Sequence, residues 1–277
     1  MAGNSNKLLL CGCGWLGGYL ASHFANSKQI TGTTRSQDKA QQLQQEGVKA
    51  LLFALGDNPD SLSAHSANST VILNIPPGRR NTDLDGFTRH MCELITALYR
   101  NQPPQQLIFI STTSVYGDQD GDITTGSPVA PTTASGEAHV AIEQHIQQCA
   151  PENGYILRLA GLVGPDRHPV KSLAGRTLSG ANQVVNLVHV DDVVTTIGAL
   201  MTQQPKQKLW HLSSSAHPMR GEYYPKMANQ LGLAPIEFSD GSDHSTLPTG
   251  KSINPQATLD ALGMTLEFAS PWQMKPV

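Results

Sequence analysis

Charged side chains are scarce in this 277-residue chain, which limits the partners that it can have. They make up 15% of the residues, against about 25% in an average domain, and the net charge is −3 at pH 7. A protein that binds the phosphate backbone of nucleic acid normally carries a basic surplus, so we expect no nucleic-acid partner. No apolar run is long enough to cross a bilayer, so we expect no membrane partner either.

Cysteine is also scarce, which argues against disulfides and metal. The four cysteines are Cys11, Cys13, Cys92 and Cys149. The first two are too close in sequence for an ordinary disulfide, and no CxxC pair or Cys/His spacing typical of zinc occurs. The histidines are scattered, with no pair at ligand spacing beside an acidic residue. We therefore expect free thiols, a reducing cytoplasmic location and no metal site.

Apolar runs suited to buried strands alternate along the chain with helical segments of ten or more residues. Residues 7–11 (KLLLC) and 106–111 (QLIFIS) are examples of the runs. This alternation is typical of an α/β protein with a Rossmann-type, doubly wound, mostly parallel sheet. We expect residues 1–165 to form the cofactor-binding core, rejoined by about 184–213. Residues 166–277 would supply the remaining sheet elements and a small C-terminal substrate lobe.

A glycine-rich turn follows the first predicted strand and opens a predicted helix. It reads G-x-G-x-x-G and consists of Gly12, Gly14, Trp15, Leu16 and Gly17 around Cys13. In a dinucleotide-binding turn the first glycine makes the bend, the second admits the pyrophosphate, and the third lets helix and strand pack closely. The phosphates would meet the N–H groups at the helix start. The alternative is an ordinary glycine turn.

The end of the second predicted strand indicates which dinucleotide is bound. A site for NAD has an acidic residue about 20 residues after the glycines, where it binds the ribose 2′-hydroxyl. Here that position carries Thr34, Arg35 and Ser36, and Asp38 falls inside the next helix. A guanidinium and hydroxyls suit a 2′-phosphate, so we predict NADP (NADPH) rather than NAD. The alternative for Arg35 is a solvated side chain.

Three further motifs carry a family resemblance. They are residues 111–117 (STTSVYG), 157–165 (LRLAGLVGP) and 189–193 (HVDDV). With the glycine turn, they resemble the extended, atypical members of the short-chain dehydrogenase/reductase superfamily, which includes NAD(P)-dependent epimerases and dehydratases of nucleotide sugars. The resemblance covers most of the chain. It implies an oxidoreductase or epimerase/dehydratase-like enzyme acting on a small carbonyl or sugar derivative.

The resemblance also implies cofactor contacts beyond the glycine turn, at the ends of later strands. The residues at these places are Asn74, Ile75, Ser111, Leu159, Ala160 and Leu162. For Asn74, capping of a loop is the alternative. Arg79 and Arg80 could meet a phosphate or an acidic substrate, or remain solvated.

The catalytic residues of the superfamily are replaced in this chain. The resemblance implies a Ser or Thr at Thr112, a Tyr at Ser135 and a Lys at His139. A serine hydroxyl is too weak an acid near pH 7 to replace a tyrosine, and acid–base catalysis is worth about 10²–10⁴-fold. Three possibilities stay open: altered chemistry by His139 with Thr112, a proton supplied by another residue such as Tyr116, or a catalytically degenerate NADP(H)-binding sensor or regulator.

Two amphipathic helices bear on self-association. They are expected near 85–100 and 135–149, and many relatives in the superfamily dimerise through the corresponding helices. The sequence therefore permits a homodimer, and we expect a small molecule as the other partner.

Overall fold

The computed structural model describes residues 5–78, 83–100, 102–240 and 247–275. Arg79 and Arg80 lie outside the described residues. Within the described ranges, none of the helices combines the length and the apolar character needed to cross a membrane.

Helices and strands alternate through most of the chain. The strands are β1 (Lys7–Cys11), β2 (Gln29–Thr34), β3 (Lys49–Leu52), β4 (Thr70–Leu73), β5 (Gln106–Thr112), β6 (Gly121–Ile123), β7 (Gly154–Leu159), β8 (Gly161–Val163), β9 (Thr177–Leu178), β10 (Leu187–His189), β11 (Leu209–Leu212), β12 (Glu237–Phe238) and β13 (Lys251–Ile253). The helices are α1 (Trp15–Phe24), α2 (Gln37–Gln45), α3 (Asp60–Ser66), α4 (Leu84–Arg100), α5 (Ala134–Cys149), α6 (Pro169–Leu173), α7 (Val190–Gln203), α8 (Arg220–Gln230) and α9 (Gln256–Leu262). Short 3₁₀ helices cover Thr113–Tyr116 and Pro271–Gln273.

Seven strands form one parallel sheet flanked by helices. Their order is β11-β7-β5-β4-β1-β2-β3, which places β1 between β4 and β2. All residues of β4 and β7 are buried, as expected for strands covered by helices on both faces. The predicted doubly wound parallel sheet is confirmed. Because the strands run in parallel, the residues that follow β1, β2, β4 and β5 lie along one edge of the sheet.

Helices α4 and α5 cover one face of this sheet with apolar side chains. Leu9, Leu73 and Phe109 from the strands pack in one buried cluster with Met91 of α4 and Ile142 of α5. Burial of this apolar surface supplies the main force that holds these helices to the sheet. Phe109 belongs to β5, whose carboxyl end forms one part of the candidate site.

The chain divides into two compact units, each built from several segments. The first comprises Met1–Val115, Pro131–Arg158 and Ile197–Trp210, and the second comprises Tyr116–Ala130, Leu159–Thr196 and His211–Val277. Strands β1 to β5 lie in the first unit, whereas the strand pairs β8 with β10, β9 with β12 and β6 with β13 lie in the second. The cofactor-binding core expected over residues 1–165, rejoined by about 184–213, stays a prediction.

The second unit has its own core around the fully buried Tyr223. The Val170 N–H donates to His168 Nδ1 (3.2 Å), so the proton of the neutral ring lies on Nε2, which donates to Tyr223 Oη (2.8 Å). The Tyr223 hydroxyl donates in turn to the Pro271 carbonyl (3.1 Å). Burial lowers the pKa of His168 to about 4, so the ring is neutral at pH 7.

The HVDDV motif anchors the chain near its C-terminal end within the same unit. The Asp192 carboxylate accepts the N–H groups of Glu267 (2.8 Å) and Phe268 (3.2 Å). The His189 ring stacks on Phe268 with their centroids 3.7 Å apart. These contacts give the motif a structural role at the start of α7.

A buried ion pair joins α5 to β7 in the first unit. Arg158 Nη2 lies 2.6 Å from Glu143 Oε2, and Arg158 Nε lies 3.0 Å from Glu143 Oε1. Their side chains are 5% and 4% exposed. The Ser111 hydroxyl at the end of β5 donates to Glu143 Oε1 at 2.6 Å. One charged network therefore joins β5, α5 and β7.

We expect the substitution Arg158→Met to destabilise the protein by about 3–5 kcal/mol, because it leaves the Glu143 carboxylate buried without its cation. The free energy of unfolding, measured by urea denaturation, checks this. The control is Arg100→Met, which breaks the exposed pair with Asp60, whose side chains are 56% and 54% exposed. That change should cost no more than about 1 kcal/mol. Similar losses for the two variants would contradict the prediction.

Candidate functional site

The glycine turn between β1 and α1 combines two crowded positions with one open position. A Cβ at Gly12 would lie 2.5 Å from the Asn74 carbonyl oxygen, and a Cβ at Gly17 would lie 2.5 Å from the Gly12 carbonyl oxygen. Gly12 also has a φ of +100°, which disfavours other residues. A Cβ at Gly14, in contrast, would meet no atom within 4 Å. The backbone is therefore closely packed on either side of a position that faces open space.

The start of α1 at this turn suits an anion. Gly14 is the N-cap residue, no side chain caps the helix, and the first turn contains no acidic residue. The first turn includes Trp15 and Leu16. The positive end of a helix dipole and the N–H groups of the first turn favour phosphate groups at such a place.

Side chains of the neighbouring strands hold the turn in place. Asn74 Nδ2, after β4, donates to the Gly12 carbonyl (3.0 Å), and Thr33 Oγ1, in β2, accepts the Gly12 N–H (2.8 Å). Ile75 lies against the turn, since its Cγ1 is 3.2 Å from where a Gly12 Cβ would stand. Asn74 therefore supports the turn through its amide. Thr33 serves the same purpose, a role that our sequence reasoning missed.

The two cysteines near this turn are buried. Burial raises the pKa of Cys13 to about 11 and raises that of Cys11 further. A Cβ at Gly32 would lie 2.5 Å from the Cys13 sulfur, so Cys13 fills the space beside β2. Both thiols are protonated at pH 7 and act as small apolar side chains.

The carboxyl end of β2 presents an exposed cation. Arg35 and Ser36 are exposed, and Thr34 is half-buried. Ser36 Oγ accepts the Lys39 N–H (3.3 Å) as the cap of α2, and the Ser36 N–H donates to Thr34 Oγ1 (3.3 Å). Arg35 forms no hydrogen bond or ion pair with any residue that the structure describes. Asp38 is exposed in the first turn of α2.

Two adjacent hydroxyl groups at the carboxyl end of β5 have different surroundings. The Ser111 hydroxyl points inward and donates to Glu143, as described above. Thr112 is half-buried at the edge, where its hydroxyl donates to Ser114 Oγ (3.1 Å) and accepts the Ser114 N–H (3.1 Å). Ser111 and Thr112 were both predicted to lie in the site, and Thr112 is the one whose hydroxyl lies at the sheet edge.

Helix α5 starts close to this strand end because of one glycine. A Cβ at Gly136 would lie 3.0 Å from the Ser114 carbonyl oxygen, so a larger residue would push the helix away. Ser135, the half-buried neighbour of Gly136, therefore lies at the helix start that approaches the Ser114 backbone. One turn later, His139 packs on Phe109 with ring centroids 5.8 Å apart. The first unit thus gathers Thr112, Ser135 and His139 at one end of the sheet.

Tyr116 lies in the second unit and is fully buried. His211 Nε2 lies 2.7 Å from the Asn254 carbonyl, to which it donates, so His211 Nδ1 accepts the Tyr116 hydroxyl at 3.0 Å. The phenol proton is committed to this bond, and the ring has no exposed surface. These contacts favour a structural role for Tyr116, as a packed aromatic residue, over a role as proton donor to a substrate.

The remaining predicted contacts, Leu159, Ala160 and Leu162, also belong to the second unit. Leu159 and Ala160 are buried, and the Ala160 N–H donates to the Leu212 carbonyl (3.0 Å). Leu162 is half-buried in β8, opposite Val188 of β10. Among the described residues, no three His, Cys, Asp or Glu side chains are placed to hold a metal ion.

Comparison with known proteins identifies the family. The model of the NAD dependent epimerase/dehydratase family matches residues 8–213. The chain belongs to this family. "Protein YeeZ" of Escherichia coli (strain K12) is 33% identical over 274 residues, which cover 97% of this chain and 98% of that protein.

Two solved structures share the fold of this chain. MoeE5 in complex with UDP-glucose and NAD has a TM-score of 0.78 at 19% identity, with 97% of each chain covered. The UDP-glucuronic acid 4-epimerase of Bacillus cereus in complex with NAD has a TM-score of 0.77 at 15% identity, with 97% of this chain and 95% of that chain covered. At these identities the likeness concerns the fold.

Substitution of a crowded glycine should destabilise the protein, whereas substitution of the open glycine should leave its stability almost unchanged. Gly17→Ala should destabilise the protein by about 1–3 kcal/mol, because its Cβ would collide with the backbone of Gly12. Gly14→Ser should change the free energy of unfolding by no more than about 0.5 kcal/mol, because the position is open and serine is a good N-cap residue. Urea denaturation of the two variants measures the difference. Equal destabilisation would contradict the assignment of the turn.

Proposed function

We propose that the chain binds NADP(H) with the pyrophosphate over Gly14, and that it is an atypical epimerase/dehydratase-like oxidoreductase of small carbonyl or sugar compounds. The observation that carries the proposal is the open Gly14 between the closely packed Gly12 and Gly17. Only a backbone without a side chain at this point lets a diphosphate approach the first turn of α1. Membership of the NAD dependent epimerase/dehydratase family agrees with a nicotinamide cofactor.

The preference for NADP(H) is supported by the charge at the end of β2. Since β2 is the neighbour of β1 in the sheet, its last residues follow the same edge as the glycine turn. Arg35 is exposed there, and the hydroxyls of Thr34 and Ser36 flank it. A guanidinium forms strong, charge-assisted hydrogen bonds with a phosphate, and a carboxylate that would bind a ribose 2′-hydroxyl is missing from this strand end.

The substrate class is inferred from the family. The names of the similar structures mention UDP-glucose and UDP-glucuronic acid as molecules that those proteins bind or act on. Sugar nucleotides and small carbonyl compounds are therefore the first substrates to test. The bound cofactor would supply or accept the hydride.

The chain's own groups for proton transfer are Thr112, Ser135 and His139. The serine and threonine hydroxyls do not ionise near neutral pH, so of the three groups the His139 imidazole is the one whose chemistry suits proton transfer. Burial lowers the pKa of His139, although the Ser135 carbonyl and the Glu143 carboxylate act in the opposite direction. The imidazole is therefore neutral at pH 7 and suited to accept a proton, with Thr112 placed to bind a substrate oxygen.

The role of Arg35 is tested by binding. We expect NADPH to bind more tightly than NADH, and Arg35→Ala to weaken NADPH binding roughly ten- to hundredfold while leaving NADH binding unchanged. Isothermal titration calorimetry measures both affinities. Arg100→Ala is the matched control, because Arg100 is an exposed arginine far from the glycine turn. It lies at the C-terminal end of α4, from which the chain runs to the start of β5 at the opposite edge of the sheet. Equal affinities for the two dinucleotides, or an unchanged NADPH affinity in Arg35→Ala, would contradict the NADP(H) preference.

A sensor or regulator that binds NADP(H) without turnover is the second candidate function. It is favoured by the buried Tyr116, whose hydroxyl donates a hydrogen bond to His211 Nδ1, and by the serine and histidine at the usual tyrosine and lysine positions.

Turnover separates the two functions. We expect the wild type to oxidise NADPH slowly with members of a panel of aldehydes, ketones and UDP-sugars, and the double variant Ser135→Tyr, His139→Lys to do so about 10²–10⁴-fold faster. Absorbance of NADPH is the measurement, and calorimetric NADPH binding by both proteins is the control. Binding without turnover by either protein would support the sensor instead.

A further inference from the structure

Two successive backbone N–H groups of the second unit converge on one carboxylate oxygen. The N–H groups of Gly180 and Ala181 donate to Asp240 Oδ2 at 2.8 Å and 3.2 Å. Gly180 has a φ of +75°, a left-handed conformation that glycine adopts without strain. Successive N–H groups that point to one spot form a concave surface for anions, called a nest. The turn therefore binds an anionic oxygen, and the oxygen that it holds belongs to the chain itself.

Two short parallel strands bring the turn and the aspartate together. β9 and β12 pair in register up to Leu178 and Phe238. Gly180 lies two residues beyond β9, and Asp240 lies two residues beyond β12. Because the strands are parallel, both residues follow the same end of the pair. The strand pair therefore places the carboxylate at the nest.

A cation lies beside the nest without pairing with the aspartate. A Cβ at Gly180 would lie 3.1 Å from Arg220 Nη1, so the missing side chain lets the guanidinium approach. Arg220 Nη1 donates to the neutral Gln183 Oε1 at 2.8 Å, and the guanidinium lies 5.9 Å from the centroid of the Phe238 ring. Within the described ranges, no carboxylate lies within ion-pair distance of Arg220. The positive charge is therefore held beside the nest by neutral groups.

The Asp240 side chain uses only part of this arrangement. It is exposed, and it accepts the two N–H groups but lies beyond ion-pair distance of the guanidinium. Desolvation raises the pKa of Asp240, but the N–H groups that it accepts and the charge of Arg220 outweigh this effect, so the pKa is lowered. The surroundings thus favour negative charge. A phosphate has more acceptor oxygens than a carboxylate, so it can contact the N–H groups and the guanidinium together.

We propose that Gly180, Ala181 and Arg220 form a binding site for the phosphate group of a small molecule, and that the Asp240 carboxylate occupies this site until a phosphate displaces it. The inference goes beyond the proposed function, because it involves neither the glycine turn nor a reaction. The phosphate would accept the two N–H groups in place of Asp240. It would also pair with Arg220, whose planar guanidinium forms charge-assisted hydrogen bonds with phosphate oxygens. Asp240 is then an internal competitor.

Isothermal titration calorimetry of the full chain with inorganic phosphate, in a chloride buffer at pH 7.5, tests the competition. We expect Asp240→Ala to bind phosphate about five- to fiftyfold more tightly than the wild type, because the fraction of protein with an open site rises. Asp240→Asn keeps an uncharged acceptor for the nest, so its affinity should lie between the two. The matched control is Asp260→Ala, which removes another exposed carboxylate of the second unit and should bind phosphate as the wild type does.

The role of Arg220 is tested in the Asp240→Ala background. Arg220→Gln should weaken phosphate binding about tenfold, because it removes the charged partner. Lys226→Gln, which removes an exposed cation from the same helix, should leave the affinity almost unchanged. Acetate should bind more weakly than phosphate, because a single carboxylate does not span the nest and the guanidinium.

A crystal structure of Asp240→Ala with phosphate locates the anion. We expect phosphate oxygens within hydrogen-bonding distance of the N–H groups of Gly180 and Ala181 and of the Arg220 guanidinium. Phosphate bound elsewhere on the chain would overturn the inference. So would a phosphate affinity that is unchanged in both Asp240 variants, or acetate that binds as tightly as phosphate.

Discussion

The close approach of two backbones at the Gly12–Gly17 turn is the constraint on which the site depends. The carbonyl of Asn74 occupies the space that a side chain at Gly12 would need, and the carbonyl of Gly12 does the same at Gly17. These contacts lock β1, α1 and β4 together. Because the same contacts leave Gly14 uncovered, the packing that stabilises the fold also creates the surface proposed for the pyrophosphate.

Helix α5 carries one residue of the buried ion pair and two residues of the candidate site. Glu143 on this helix pairs with the buried Arg158, and His139 lies one turn earlier on the same helix. The ion pair fixes the helix, the Gly136 contact sets its distance from β5, and the Ser135 carbonyl sets the tautomer of His139. One helix therefore carries both a residue of the buried ion pair and a histidine whose Nδ1 hydrogen-bonds to the backbone of the preceding turn.

The sequence predicted the parallel sheet and the glycine turn because both leave local patterns, namely apolar runs and closely spaced glycines. It could not predict contacts between residues distant in the chain. Asn74 and Gly12 are 62 residues apart, and Tyr116 and His211 are 95 residues apart. The inward turn of Ser111 toward Glu143 likewise depends on packing across 32 residues. Nor does any local pattern reveal that the Ser135 carbonyl fixes the proton on His139.

A crystal structure of the chain grown with NADPH tests the central claim most directly. The account predicts the pyrophosphate over Gly14, within hydrogen-bonding distance of N–H groups in the first turn of α1. It also predicts the 2′-phosphate in contact with the Arg35 guanidinium. NADPH bound elsewhere on the chain, or bound at the turn with its 2′-phosphate directed away from Arg35, would contradict it.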